Sequence, residues 1–162
     1  MAVAVVDCGS GSSRLSIYSL HQSDGLVHED RYVPSNILPT LAPALAESRH
    51  DEWCAKLAEI LSDECVMPKI VVGTTGGLRK ALAQGIVSET QVQAFARALT
   101  SKFNGQARLA RLTGEEEAEL ELKAVRYVAS HSLGTFRPTF GGGIQRIATE
   151  LGVLSCGGAS SQ

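Results

Sequence analysis

A mixed α/β sheet covered by helices is the fold class this sequence predicts, and three observations predict it. Short apolar runs stop at glycine- and serine-rich loops, the opening third alternates like paired strands, and the remainder alternates strand-like with helix-like periodicity. At 162 residues, 44% hydrophobic and 20% charged with a formal net charge of −2, the chain has ordinary globular composition. That balance argues against disorder, collagen and nucleic-acid binding. The length suits one domain with a sizeable core, too short for a complete two-lobed enzyme.

Ala2 to Asp7 (AVAVVD) is a nearly continuous apolar run, the pattern of a central strand buried on both faces. Asp7 stops it well short of the roughly 20 residues that span a bilayer, and no membrane or export segment is expected. Cys8 to Arg14 (CGSGSSR) reads as a turn, Leu15, Ile17 and Tyr18 as a second strand, and Ser23-Asp24-Gly25 as a turn into a third, Leu26 to Val33. The opening is therefore a β-meander. Pro34, Pro39 and Pro43 break up the next stretch, after which Trp53, Leu57, Ile60 and Leu61 recur at helical spacing within Asp51 to Glu64.

Ile70-Val71-Val72 is a fourth strand, running into Gly73-Thr74-Thr75-Gly76-Gly77 with a helix over Leu78 to Gln84. Ser88 with Gln91 forms a capping box for a helix to about Thr100, and Ala107 to Leu112 is a further strand. Thr113 with Glu116 forms a second box, opening a helix from Gly114 to about Ala129. The order is βββαβααβα. His131 to Thr149 reads as a linker, and Gly152 to Ser155 as a last strand leading into CGGASSQ.

Cys8, Cys54, Cys65 and Cys156 contain no CxxC pair, and on one helix Cys54 and Cys65 would stand about 16 Å apart, beyond disulfide reach. They read as small core residues. His21, His28, His50 and His131 lack ligand spacing and are expected in exposed or locally bonded places.

Three small-residue loops follow strands: DCGSGSSR, GTTGGLRK and SCGGASSQ. Such loops can present several backbone N–H groups to one anion, with phosphate the natural ligand, although each alone also reads as an ordinary turn. GTTGGLRK lacks the spacing of a P-loop, and Lys80 is followed by Ala81. GSGSSR has Arg14 where a dinucleotide fingerprint needs its third glycine, and a strand follows where that motif needs a helix.

Taken in order, VVDCGSGSSRLSIY, VVGTTGGLRKAL, LTGEEEAELELKAVRY and GVLSCGGASSQ resemble the first four conserved regions of the apyrases, the nucleoside tri- and diphosphate phosphohydrolases. They are also similar to exopolyphosphatases and guanosine-pentaphosphatases. The resemblance runs from Val3 to Gln162 and implies a ribonuclease-H-like lobe of the actin-like ATPase superfamily over residues 1–130, a linker over 131–149, and the first strand and phosphate loop of a truncated second lobe over 150–162. By the same resemblance Asp7 holds a divalent metal, Ca²⁺ or Mg²⁺, through water, and Gly9, Ser10 and Ser13 line the first phosphate hairpin. Thr75 and Arg79 place the phosphates or order the loop. Glu117 orients or deprotonates the attacking water, Ser160 and Gln162 hold that water from the other side, and Gly157, Gly158 and Ala159 form the last phosphate loop.

The expected substrate is a nucleoside di- or triphosphate, with no nucleic-acid partner. The residues themselves leave plainer alternatives open: a turn-capping aspartate at Asp7, an exposed helical arginine at Arg79, and at Glu117 one carboxylate among several favoured by a helix N-terminus. The sequence also departs from the pattern. Ser155 stands where the apyrases have a metal-binding aspartate, and GEEEAEL is the exopolyphosphatase version of the third region, whereas GTTGGLR, GGASSQ and Tyr127 follow the apyrases. An exopolyphosphatase or a non-catalytic nucleotide-binding relic are the alternatives to a nucleoside phosphatase.

Overall fold

The computed structural model describes residues 2–23, 25–35, 37–64 and 67–132. They fall into two compact units, Met1–Leu112 and Thr113–Gln162. The expected second-lobe strand and loop, and all but the start of the expected linker, lie outside the described residues, as do Cys65 and Cys156.

In the first unit β1 (Ala2–Cys8), β2 (Ser13–Leu20) and β3 (Val27–Val33) form the meander, followed by α1 (Leu41–Ala46), α2 (His50–Ile60), β4 (Lys69–Thr74), α3 (Gly76–Ala83), α4 (Glu89–Lys102) and β5 (Ala107–Arg111). The sheet order is β3-β2-β1-β4-β5, so β1 is central as expected. β1 pairs antiparallel with β2 and parallel with β4, and β4 pairs parallel with β5. The mixed sheet and element order are those of a ribonuclease-H-like, actin-like lobe.

Register explains the core. Ile17, Ala4, Ile70 and Ala107 form one cross-strand row, and Leu15, Val6 and Val72 the next, all buried. Trp53 and Leu57 of α2 and Phe95 and Leu99 of α4 belong to the same cluster, with the Trp53 and Phe95 rings edge to face at 5.2 Å. Cys8 and Cys54 are core residues, as expected. On the opposite sheet face Val3 and Val5 are only half-buried, so the apolar run of β1 serves two unequal faces rather than two dry ones.

Helix α1 is an addition to the expected order. Pro43 occupies its third position, where the backbone N–H has no intrahelical partner, so the proline that reads as a breaker is accommodated. At the far end of the meander His21 meets Asp30 at 3.2 Å, and its ring lies 4.3 Å from that of His28 at a tilt of 37°, a local cluster at the surface. The described part of the second unit is α5 (Gly114–Ser132).

Candidate functional site

At the carboxyl ends of the two central parallel strands, β1 and β4, the chain leaves through its two described small-residue loops. The first is tight: Gly9 N–H donates to the Ser12 carbonyl at 2.9 Å, closing the turn between β1 and β2. The second opens α3, where Thr75 is the N-cap residue but makes no side-chain cap. Instead Thr75 N–H and Oγ1 reach the Cys8 carbonyl at 3.4 and 3.5 Å, tying the start of α3 to the end of β1. Gly77 is pressed on Ser10 so closely that a Cβ there would stand 2.6 Å from Ser10 Cα. Only glycine permits this approach. The uncapped first turn of α3, whose N–H groups carry the positive end of the helix dipole, thus lies against the Gly9–Ser12 turn.

Asp7 lies on the sheet face away from the core, exposed, paired across the sheet with Arg14 on one side and Gly73 on the other. Ser13 lies on the other face, in the row Ser13–Cys8–Thr74. Its hydroxyl is fully buried and donates to the Pro39 carbonyl at 2.8 Å, so what Ser13 adds to the hairpin is an anchor. Burial pushes the neighbouring Cys8 thiol up to about 12, with the Asp7 carboxylate adding to the rise and a hydrogen bond with Ser13 opposing it.

Arg79 on α3 donates from Nη1 to the Leu112 carbonyl at 2.7 Å. This contact ties α3 to the residue that follows β5. Leu112 N–H in turn donates to the Thr74 carbonyl at 3.0 Å. Asp7, Gly9, Ser10, Ser13, Thr75 and Arg79 are therefore gathered at one end of the first unit's sheet.

Glu117 belongs to the second unit, in the first turn of α5. There Thr113 N–H donates to Glu116 Oε2 at 2.8 Å and Glu116 N–H to Thr113 Oγ1 at 3.1 Å, the expected capping box. Hydrogen bonds to the carboxyl from the Thr113 backbone N–H, the larger effect, and from the Thr113 side chain hold Glu116 below its ordinary value. Glu119 pairs with Lys123 at 2.9 Å. Two of the clustered glutamates thus have helix-stabilising partners. Gly157, Gly158, Ala159, Ser160 and Gln162 lie outside the described residues, as does Ser155.

Comparison with known proteins bears on the fold. A member of the Ppx/GppA family from Aquifex aeolicus superposes with a TM-score of 0.55 at 17% identity, covering 80% of this chain and 40% of its own. An exopolyphosphatase from Cytophaga hutchinsonii superposes with a TM-score of 0.50 at 16% identity, covering 78% of this chain and 38% of its own. The lobe has the actin-like fold. No known protein family and no curated protein matches the sequence. A nucleoside triphosphate hydrolase from Neospora caninum is a more distant neighbour, at 12% identity and a TM-score of 0.44. The chain spans about 40% of the length of the Aquifex protein.

Among the described residues no group of three His, Cys, Asp or Glu side chains could hold a metal ion. Magnesium is commonly bound by one or two carboxylates together with substrate phosphates and water, and an exposed Asp7 beside two small-residue loops fits that mode. A hollow of about 580 Å³ at the opposite ends of the strands, lined by Val3, Lys69, Val71, Gln106 and Arg108 among others, contains none of the expected site residues. No described helix is long and apolar enough to cross a membrane. Sequence reading missed Pro39, Thr40 and Trp53, which hold the first loop from behind and carry no local signal.

Proposed function

We propose that this chain carries the phosphate-binding lobe of a metal-dependent phosphoanhydride hydrolase acting on nucleoside tri- or diphosphates. The observation that carries the proposal is the contact between the Gly9–Ser12 turn and the uncapped first turn of α3, beside Asp7. Backbone N–H groups from both segments bind phosphate oxygens, and Asp7 holds Mg²⁺ or Ca²⁺ through water. When bound, the cation supplies charge neutralisation at the phosphates. Glu117 orients or deprotonates the attacking water, with Ser160 and Gln162 holding that water. Little covalent chemistry is asked of the protein, which matches a site built from amides and carboxylates.

The third-region sequence Gly114 to Leu120, GEEEAEL, and the likeness to an exopolyphosphatase support a second reading in which polyphosphate is the substrate. Phosphate release from ATP, ADP, GDP, UDP and polyphosphate, each with Mg²⁺ or Ca²⁺, decides between them in the protein carrying this lobe. Turnover of nucleotides is expected. Cleavage of polyphosphate alone moves the assignment to the second reading, and ATP binding without hydrolysis makes the lobe a binding module. Glu117→Gln is expected to lower turnover by about 10²-fold or more, and near-wild-type activity in that variant overturns the role given to Glu117.

A further inference from the structure

Two hydrogen bonds tie the Gly9–Ser13 loop to the segment that precedes α1, and a third anchors that segment to α2. Ser13 Oγ and Trp53 Nε1 both donate to the Pro39 carbonyl, each at 2.8 Å, and the next residue, Thr40, donates from Oγ1 to the Gly11 carbonyl at 3.3 Å. Trp53 is fully buried in α2 against Phe95, and Thr40 is the extended N-cap residue of α1. A core aromatic therefore fixes one carbonyl, that carbonyl fixes the return strand of the hairpin, and the adjacent hydroxyl fixes its tip. On the α3 side Gly77 confines Ser10.

A loop of only glycine and serine has much backbone freedom to lose when it wraps an anion, and holding it in the binding shape beforehand removes that cost from the binding step. We propose that Trp53, Pro39 and Thr40 form a brace that pre-organises the Gly9–Ser13 loop for phosphate, making Thr40 and Trp53 positioning residues. The inference rests on the reading of that loop as a phosphate site. Because the Pro39 carbonyl accepts two bonds, loss of the Trp53 donor leaves it bonded to Ser13, so Trp53→Phe frees the Pro39 segment, and the loop with it, without stranding an acceptor. Thr40 is at the surface end of the brace, and Thr40→Val removes its bond with little change in shape.

The test uses the 162-residue chain with Thr40→Val, Trp53→Phe and Thr40→Ser variants. Amide hydrogen exchange without ligand reads the brace at Gly9, whose N–H is bonded within the loop, against Val6 and Val72 in the core. Calorimetry with ATP and Mg²⁺ reads its consequence. Thr40→Val is expected to speed exchange at Gly9 and to weaken binding on the order of tenfold while leaving the core amides unchanged, Trp53→Phe to speed exchange at Gly9 by more than at the core amides and to weaken binding likewise, and Thr40→Ser to restore exchange and binding. An unmoved Gly9 amide, a loosened loop with unchanged affinity, or a Thr40→Ser variant as impaired as Thr40→Val overturns the brace. Failure of the wild-type chain to bind either ATP or polyphosphate with Mg²⁺ overturns the phosphate reading instead, and the exchange rates then decide the brace by themselves.

Discussion

Gly77 is the residue on which the candidate site closes most tightly. The atoms a Cβ would meet there, Ser10 Cα at 2.6 Å, Ser10 N at 2.8 Å and Gly9 O at 2.9 Å, are all backbone, so no rotamer change can make room. Gly77→Ala is expected to displace the loop, to cost about 1–3 kcal/mol in urea unfolding, and to abolish ATP binding in calorimetry. Gly11→Ala is the control, since a Cβ there meets nothing within 4 Å, and its stability should stay within about 0.5 kcal/mol of wild type. Both glycines stand in small-residue loops and look alike in the sequence. The contact that separates them joins positions 67 residues apart in number, between Ser10 and Gly77, and only the parallel pairing of β1 with β4 creates it. Ser13 teaches the same lesson. Its residue type suits a phosphate hairpin, yet register turns its hydroxyl to the core and to Pro39.

Among the elements, α5 is one whose start is specified locally. Thr113 and Glu116 satisfy each other's amides, and Thr113→Ala is expected to cost about 1 kcal/mol at this helix terminus, read as faster amide exchange at Glu116 and Glu117. The lowered Glu116 carboxyl adds a pH dependence. A carboxyl whose folded pKa lies below its unfolded one stabilises the helix above the ordinary carboxylate range and loses that contribution as pH falls through its folded value. Glu116→Gln keeps the box and should flatten the acid response of those amides. Both capping boxes, this one and Ser88 with Gln91, are readable in advance because their partners are three residues apart. Helix α1 is not. Its proline is compatible with helix only in the first turn, and where that turn begins is set by the anchoring of Pro39 and Thr40.

At the scale of the whole first unit, the core encloses, among the described residues, two thiols whose protons the fold retains. Burial, with Asp51 adding to it, pushes the Cys54 thiol up to about 11, and Cys8 stands at about 12. Each thiol binds its proton more tightly folded than unfolded, so its contribution is complete below the unfolded value near 9 and is lost as pH rises towards the folded one. Urea unfolding at pH 10 should therefore show a loss of about 1 kcal/mol for each thiol relative to pH 8, and a Cys8→Ala, Cys54→Ala double variant should lack that increment.

What the amino-acid order determined by itself is everything that depends on near neighbours: strand and helix periodicity, the two capping boxes and the small-residue loops. Each needs only interactions within a turn or a strand. Tertiary structure alone decided that the Gly9–Ser12 turn lies against the start of α3, that Ser13 faces inward while Asp7 faces outward, that Arg79 reaches the end of β5, and that Trp53 and Thr40 stand behind the loop. These contacts join distant segments, and they form only when the register of β1 against β2 and β4 fixes which side of the sheet each residue occupies.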